Sequence, residues 1–177
     1  DGNKIISYKY DNILNYDDSV FVAKYNGKYG IADYEGNTIV KYICEIIYYK
    51  IYDSATYIEY GGKIALLNSK LKQVTDNIFM PGFGNYYDEG GLAHLILAST
   101  NKCGVVNVET GKTVIPFEYD KINLPSEELL CGEKDGKYGY LNIKNETVIP
   151  FIYDDGKDFS EGLAMVGKNS QKMLTQH

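Results

Sequence analysis

The residues that could do chemistry are few and scattered. The sequence holds two histidines, His94 inside an apolar strand-like segment and His177 at the last position, so a Ser-His-Asp or Cys-His arrangement has little to draw on. His94 reads as a structural residue. Cys44, Cys103 and Cys131 show no C-x-x-C spacing and suit buried small apolar positions rather than a disulfide framework or a zinc site. The carboxylate pairs Asp17-Asp18, Asp88-Glu89 and Asp154-Asp155 lie in turn-like stretches, where such neighbours are solvated. Asp154-Asp155-Gly156-Lys157-Asp158 has the composition of a calcium loop, with its ligand order and glycine out of place. Gly82-x-Gly84 lacks a third glycine in phase and a strand-to-helix setting, which excludes a dinucleotide fingerprint. The expectation is no catalytic residue, no cofactor, no metal and no enzyme activity.

The composition says what must hold any site in place. Among 177 residues there are 18 Tyr, 6 Phe, 18 Gly, 4 Pro and no Trp, which favours strands joined by tight turns over a helical bundle. A net charge of -6, from 18 Lys+Arg against 24 Asp+Glu, argues against nucleic acid and anionic membrane surfaces, both of which need clustered positive charge. No apolar run approaches the ~20 residues of a membrane-spanning helix. The sequence opens on Asp1 rather than Met, so it reads as a processed or cut chain with any export signal out of view. The compartment stays open, leaning to export or the cell envelope.

A repeat organises the whole chain. Gly27-Lys28-Tyr29-Gly30-Ile31-Ala32-Asp33 and Gly136-Lys137-Tyr138-Gly139-Tyr140-Leu141-Asn142 are one element written twice. Lys28, Lys63, Lys102, Lys137 and Lys172 mark five copies at separations of 35, 39, 35 and 35. Four copies continue with an apolar and then a small residue, Tyr29-Gly30, Ile64-Ala65, Cys103-Gly104 and Tyr138-Gly139; the fifth departs with Met173-Leu174. Asp33, Asn68, Asn107 and Asn142 follow, and Asx side chains there predict a turn. Next come Val114-Ile115-Pro116-Phe117-Glu118-Tyr119-Asp120 and Val148-Ile149-Pro150-Phe151-Ile152-Tyr153-Asp154, whose mid-run prolines predict a strand end or an edge. Each unit reads as a meander of about three short strands. The aromatic and glycine positions read as architectural, the glycine allowing close approach of a neighbouring backbone or ring. The lysine reads as a solvated turn residue with its stem over that ring.

The G-K-Y-G-x-x-[DN] word, the V-I-P-F-x-Y-D word and Phe159-Ser160-Glu161-Gly162-Leu163-Ala164, in that order, resemble bacterial WG repeats, also called KWG repeats. The usual tryptophan is replaced by Tyr29, Ile64, Cys103, Tyr138 and Met173. The resemblance implies an array of β-rich repeats and brings no defined enzymatic activity.

The fold expected is all-β, a single domain of tandem β-meander repeats with units at 12–46, 47–79, 80–120 and 121–154 and half units at 1–11 and 155–177. Residues 1–11 align with 110–120 at a constant shift of 109. The two ends could pair to close a propeller-like ring, or belong to an open β-solenoid. The longer spacing between the second and third copies falls on a Gly-rich, aromatic and acidic insertion at 80–91. Phe83, Tyr86 and Tyr87 in it are candidate contacts, since insertions on repeat scaffolds carry specificity. Tyr48 and Tyr49 belong to a second aromatic concentration, and adjacency on a strand points them to opposite faces. The function expected is a non-catalytic scaffold that binds another macromolecule. A protein partner leads, and cell-wall polysaccharide is the alternative, because the words are also similar to choline- and glucan-binding repeats. A carboxylate-based hydrolase is the remote alternative.

Overall fold

The computed structural model describes residues 9–51, 55–81, 87–89 and 91–176, and every element in them is a strand. The chain divides into two compact units, Asp1–Asn77 and Ile78–His177. In the first, β1 (Asn12–Tyr16), β2 (Val20–Tyr25), β3 (Lys28–Asp33) and β4 (Thr38–Cys44) form one sheet. There, β5 (Ile46–Ile51), β6 (Ala55–Tyr60) and β7 (Lys63–Leu67) form a second, with Gln73 bridging to Leu67. In the second unit, β8 (Tyr87–Glu89), β9 (Leu92–Leu97), β10 (Lys102–Asn107) and β11 (Thr113–Tyr119) make the third sheet. The fourth contains β12 (Lys121–Ile122), β13 (Leu129–Lys134), β14 (Lys137–Asn142) and β15 (Thr147–Tyr153). The fifth contains β16 (Asp155–Gly156), β17 (Leu163–Lys168) and β18 (Gln171–Gln176). Each sheet is an antiparallel meander in chain order, so the all-β tandem repeat is the observed fold.

Turn chemistry sets the register. The hairpins before the third strands turn through Asn26-Gly27, Gly61-Gly62, Asp135-Gly136 and Asn169-Ser170, and in each pair both φ values are positive. Two-residue turns of that kind match the right-handed twist of the flanking strands, and Asn-Gly or Asp-Gly adopts them at little cost. Lys28, Lys63, Lys102 and Lys137 therefore open third strands. In the fifth sheet the turn places Gln171 opposite Lys168, as Lys137 stands opposite Lys134. Gln171 therefore occupies the lysine position, Lys172 that of Tyr138 and Met173 that of Gly139, a one-residue correction to the sequence alignment.

The turns after the third strands are built on the expected Asx residues. The Oδ1 atoms of Asp33, Asn68, Asn107 and Asn142 accept N–H groups of the residues that follow. Pro116 and Pro150 lie in β11 and β15, the edge strands of their sheets, where no ladder N–H is lost. The insertion interrupts the first strand of the third sheet. Phe79 pairs with Leu97 and Met80 N–H bonds to Ile96 O, and Tyr87 stands opposite His94, so both sides of the insertion pair with β9.

Sheets pack face to face on their neighbours within each unit. β10 and β11 contact β12 and β13, β14 and β15 contact β16 and β17, and β3 and β4 contact β5 and β6. The fourth sheet has a neighbour on each face, so Leu129-Leu130-Cys131 on β13 is continuously buried; Val20-Phe21-Val22-Ala23 on β2 is buried likewise, with the second sheet on one face and the rings of Tyr10, Tyr34 and Tyr42 on the other. One core joins Val105, Ile115 and Tyr119 to Ile122, Leu130 and Leu141. The next joins Cys131 and Tyr140 to Phe159, Ala164 and Val166. The segment 1–8, on which the choice between ring and solenoid turns, lies outside the described residues.

Candidate functional site

The repeated words do structural work in three devices. The first is a glycine under a ring. A Cβ at Gly30, Gly104 or Gly139 would stand 2.7–2.9 Å from Tyr42, Phe117 or Phe151 and from backbone atoms of the same fourth strand. Where the second sheet has Ala65 in that position, its neighbouring segment Lys72-Gln73-Val74-Thr75 has no ring. Glycine and ring are two halves of one contact.

The second device is a carboxylate clamp. Lys28 pairs with Glu45 at 2.7 Å, Lys102 with Asp120 and Lys137 with Asp154. The lead lysine thus reaches the acid at the end of the fourth strand rather than covering the ring beside it. Lys24 and Lys121 lie over Tyr29 and Tyr138 instead, with ammonium-to-centroid distances of 5.4 and 5.6 Å. The second oxygen of Asp120 accepts Asp135 N–H, and that of Asp154 accepts Asn169 N–H, both at 2.8 Å. Each carboxylate therefore ties its own sheet to the hairpin of the following one. Asp11 accepts the N–H of Gly27, one residue further round its hairpin turn, at 2.9 Å. The paired lysines hold Asp120, Asp154 and Glu45 below the usual carboxylate range.

The third device is a loop-to-loop contact. Glu127 accepts Glu161 N–H and Gly162 N–H, and Ser126 Oγ donates to Phe159 O at 2.8 Å. These bonds join the matching turns of the fourth and fifth sheets.

The groups with intrinsic reactivity are held in quiet states. Burial pulls the His94 imidazole down to about 4, so it is neutral near pH 7. Burial pushes the Cys44 thiol up to about 11 and that of Cys131 to about 12, and raises Cys103 as well. All three cysteines are free and buried. Among the described residues no three His, Cys, Asp or Glu side chains are grouped to hold a metal ion, and no helix is long and apolar enough to cross a membrane.

Of the residues singled out in the sequence, Phe83 and Tyr86 lie outside the described residues, and Tyr87 opens β8. Tyr48 and Tyr49 sit on β5, both half-buried. Tyr49 packs against the first unit's core and its hydroxyl donates to the Asp17 carboxylate.

A cleft that the sequence reading missed lies at the third and fourth sheets. Leu92, Pro125, Leu129, Ile143 and Val148 line it together with Glu128 and Lys144, and it is an open surface groove of about 630 Å³. Ile143, in the turn after β14, and Val148, near the start of β15, are 40% and 45% exposed, apolar side chains left in water. Glu128 has φ 70°, where the equivalent turn of the fifth sheet has Gly162 at φ 76°. A glutamate held in the left-handed region stores strain. The signal was present in the self-alignment, as Ser126-Glu127-Glu128 standing against Ser160-Glu161-Gly162.

A family model described as WG containing repeat matches residues 1–29, 104–138 and 138–171. No curated protein matches the chain. Among solved structures, the crystal structure of BamB from Moraxella catarrhalis is similar at a TM-score of 0.38 and 11% identity, over 93% of this chain and 63% of that one. KlHsv2 with loop 6CD replaced by a Gly-Ser linker is similar at a TM-score of 0.35 and 11% identity, over 91% of this chain and 62% of that one. The chain thus spans less than two thirds of the length of either structure.

Proposed function

Because the chain belongs to the family of WG-containing repeats, whose model matches more than half of it, we propose that it is a non-catalytic scaffold that binds another protein. The observation that carries this reading is the cleft lined by Leu92, Pro125, Leu129, Ile143 and Val148. Its walls stand on paired strands and Asx-closed turns, so a partner side chain entering it meets a preformed surface. Fully burying one large apolar side chain is worth about 1.5–3 kcal/mol, and Ile143 and Val148 offer part of that gain. Glu128 and Lys144 place one charge of each sign in its lining and favour a partner with the opposite order. The remote hydrolase alternative would draw on the carboxylates of the insertion, Asp88 and Glu89 on β8, and a second carboxylate at glycosidase spacing would be needed to favour it.

A photoreactive side chain at Val148 tests the reading. A discrete protein adduct that is absent from the same probe at exposed Lys112, and lost when Ile143→Asp is added, is the expected result. Identical adducts at both positions, or none, would overturn it. The insertion supplies the second contact: Tyr86→Ala with Tyr87→Ala should lower capture of that partner and leave the melting temperature unchanged. The rival reading, a wall polysaccharide, rests on the half-buried tyrosines of β5. Retention on insoluble peptidoglycan, competed by soluble sugars and reduced by Tyr48→Ala, would favour it over a protein partner.

A further inference from the structure

We propose that the joint between the first and second sheets is a binding site for a small molecule carrying one aromatic ring and a carboxylate. Strand register makes Cys44 the counterpart of Tyr119 and Tyr153, since Tyr29 pairs with Cys44 as Cys103 pairs with Tyr119 and Tyr138 with Tyr153. In the second unit the Tyr119 ring fills the joint between the third and fourth sheets. It is 3% exposed, its hydroxyl donates to Asn145 Oδ1 at 2.7 Å, and the Lys134 ammonium lies 5.3 Å from its centroid. Both of those neighbours have counterparts in the second sheet. Leu71 N–H bonds to Asn68 O as Asn145 N–H does to Asn142 O, and Tyr60 stands opposite Lys63 as Lys134 does opposite Lys137. The first unit thus repeats the surroundings of the ring and has a cysteine in place of the tyrosine.

The space left by that exchange is open. A half-open pocket of about 180 Å³ lies there, lined by Cys44, Tyr60 and Leu71. Ile58 and Leu67, both buried like Cys44, complete its inner wall. An apolar cavity of about 150 Å³ takes a benzene molecule, so one ring fits. Leu71 is a second, independent mark of the site. It has φ 59° at the turn position where Gly36, Gly111 and Asn145 also have positive φ. A bulky side chain is strained there, and this one replaces the hydrogen-bonding partner of a tyrosine by an apolar wall. The carboxylate follows from Lys41. It stands where the third and fourth sheets have Pro116 and Pro150, one residue beyond the paired Val40, Ile115 and Ile149. Lys41 lines the same pocket, is exposed, and makes no ion pair among the described residues. A cation beside an apolar pocket selects a ligand with an anionic head.

Benzoate titrated into the full chain, with amide resonances followed by NMR, tests this. Shifts should saturate and centre on Cys44, Ile58, Leu67 and Leu71, and acetate at equal concentration should produce none of them. Cys44→Tyr supplies the ring found in the other repeats and should abolish the saturable shifts without lowering the melting temperature. Leu71→Asn, which gives the turn the residue present at Asn145, is the second variant and decides the matter if Cys44→Tyr does not fold; it should weaken binding several-fold. Lys41→Met should lower the affinity for benzoate several-fold and leave that for benzyl alcohol unchanged. Shifts that never saturate, that acetate reproduces, or that survive Cys44→Tyr or Leu71→Asn unchanged would overturn the proposal, as would equal affinity of the wild type for benzoate and benzyl alcohol.

Discussion

Replacing Gly139 with alanine should destabilise the second unit by an amount that the structure sets. The new Cβ would stand 2.7 Å from Phe151 Cγ, 2.8 Å from Phe151 N and 2.9 Å from Ile149 O. Carbon atoms in ordinary contact are about 3.5–4.0 Å apart, so the closest overlap is about 0.8 Å. Two of the three atoms belong to the backbone of β15, so a rotamer change cannot relieve the clash; the strand itself must shift. Overpacking costs about 1–3 kcal/mol, and a backbone collision belongs near the top of that range. The lower unfolded-state entropy of alanine offsets about 0.4–1 kcal/mol. The net expectation is about 2 kcal/mol, which moves a urea midpoint down by about 1 M at ordinary slopes. Circular dichroism suits the assay, because the chain lacks tryptophan. Gly132→Ala is the control: its Cβ meets the flexible end of Ile122 at 3.1 Å, so it should cost less. Phe151→Leu added to Gly139→Ala should recover only part of the loss, since the two backbone contacts remain. A Gly139→Ala protein as stable as the wild type, or full recovery in the double variant, would refute the reasoning.

Acid should loosen the clamps. Asp120 and Asp154 titrate below the ordinary 3.8 when folded, so their contribution is complete above that value and is lost as pH falls through the depressed one. Urea midpoints followed from neutral to strongly acidic pH should stay level and then fall, and Asp120→Asn should flatten the fall. Glu128→Gly should raise the melting temperature, by up to about 1 kcal/mol of stability, through release of the left-handed glutamate; a lower melting temperature would count against strain there. The thiols of Cys44, Cys103 and Cys131 should react with a disulfide reagent at neutral pH only after unfolding, because burial holds them protonated. Rapid labelling of the native chain would contradict that burial.

Legibility in the sequence followed the range of the interaction. Asx side chains at Asp33, Asn107 and Asn142 act within four residues, and the turns they predict are present. Pro116 and Pro150 cannot donate in a ladder, and their strands lie at sheet edges. The WG-type words carried the family because short-range backbone needs repeat with the words. Asn26-Gly27 and Asp135-Gly136 stated the hairpins as plainly as any residues in the chain, and reading them would have put Gln171 rather than Lys172 in register. What stayed hidden spans longer distances. The lysine clamp joins residues 17 or 18 apart, beyond any single word. The cleft exists only where Pro125 and Glu128 of one repeat meet Leu92 of another. The insertion was legible as a length change, and its place inside the first strand of the third sheet needed the pairing of Phe79 and Tyr87.

The clamp also bears on how such chains can grow. Asp120 and Asp154 make the same pair of bonds, to a lysine behind and a turn amide ahead, so the joint on either side of residues 121–154 is the same joint. A gene that copies that stretch in tandem hands each new module a finished socket before any side chain has had time to adapt. Lengthening by duplication therefore costs little at the seams, and divergence is free to begin elsewhere, as in the loop that bears Glu128.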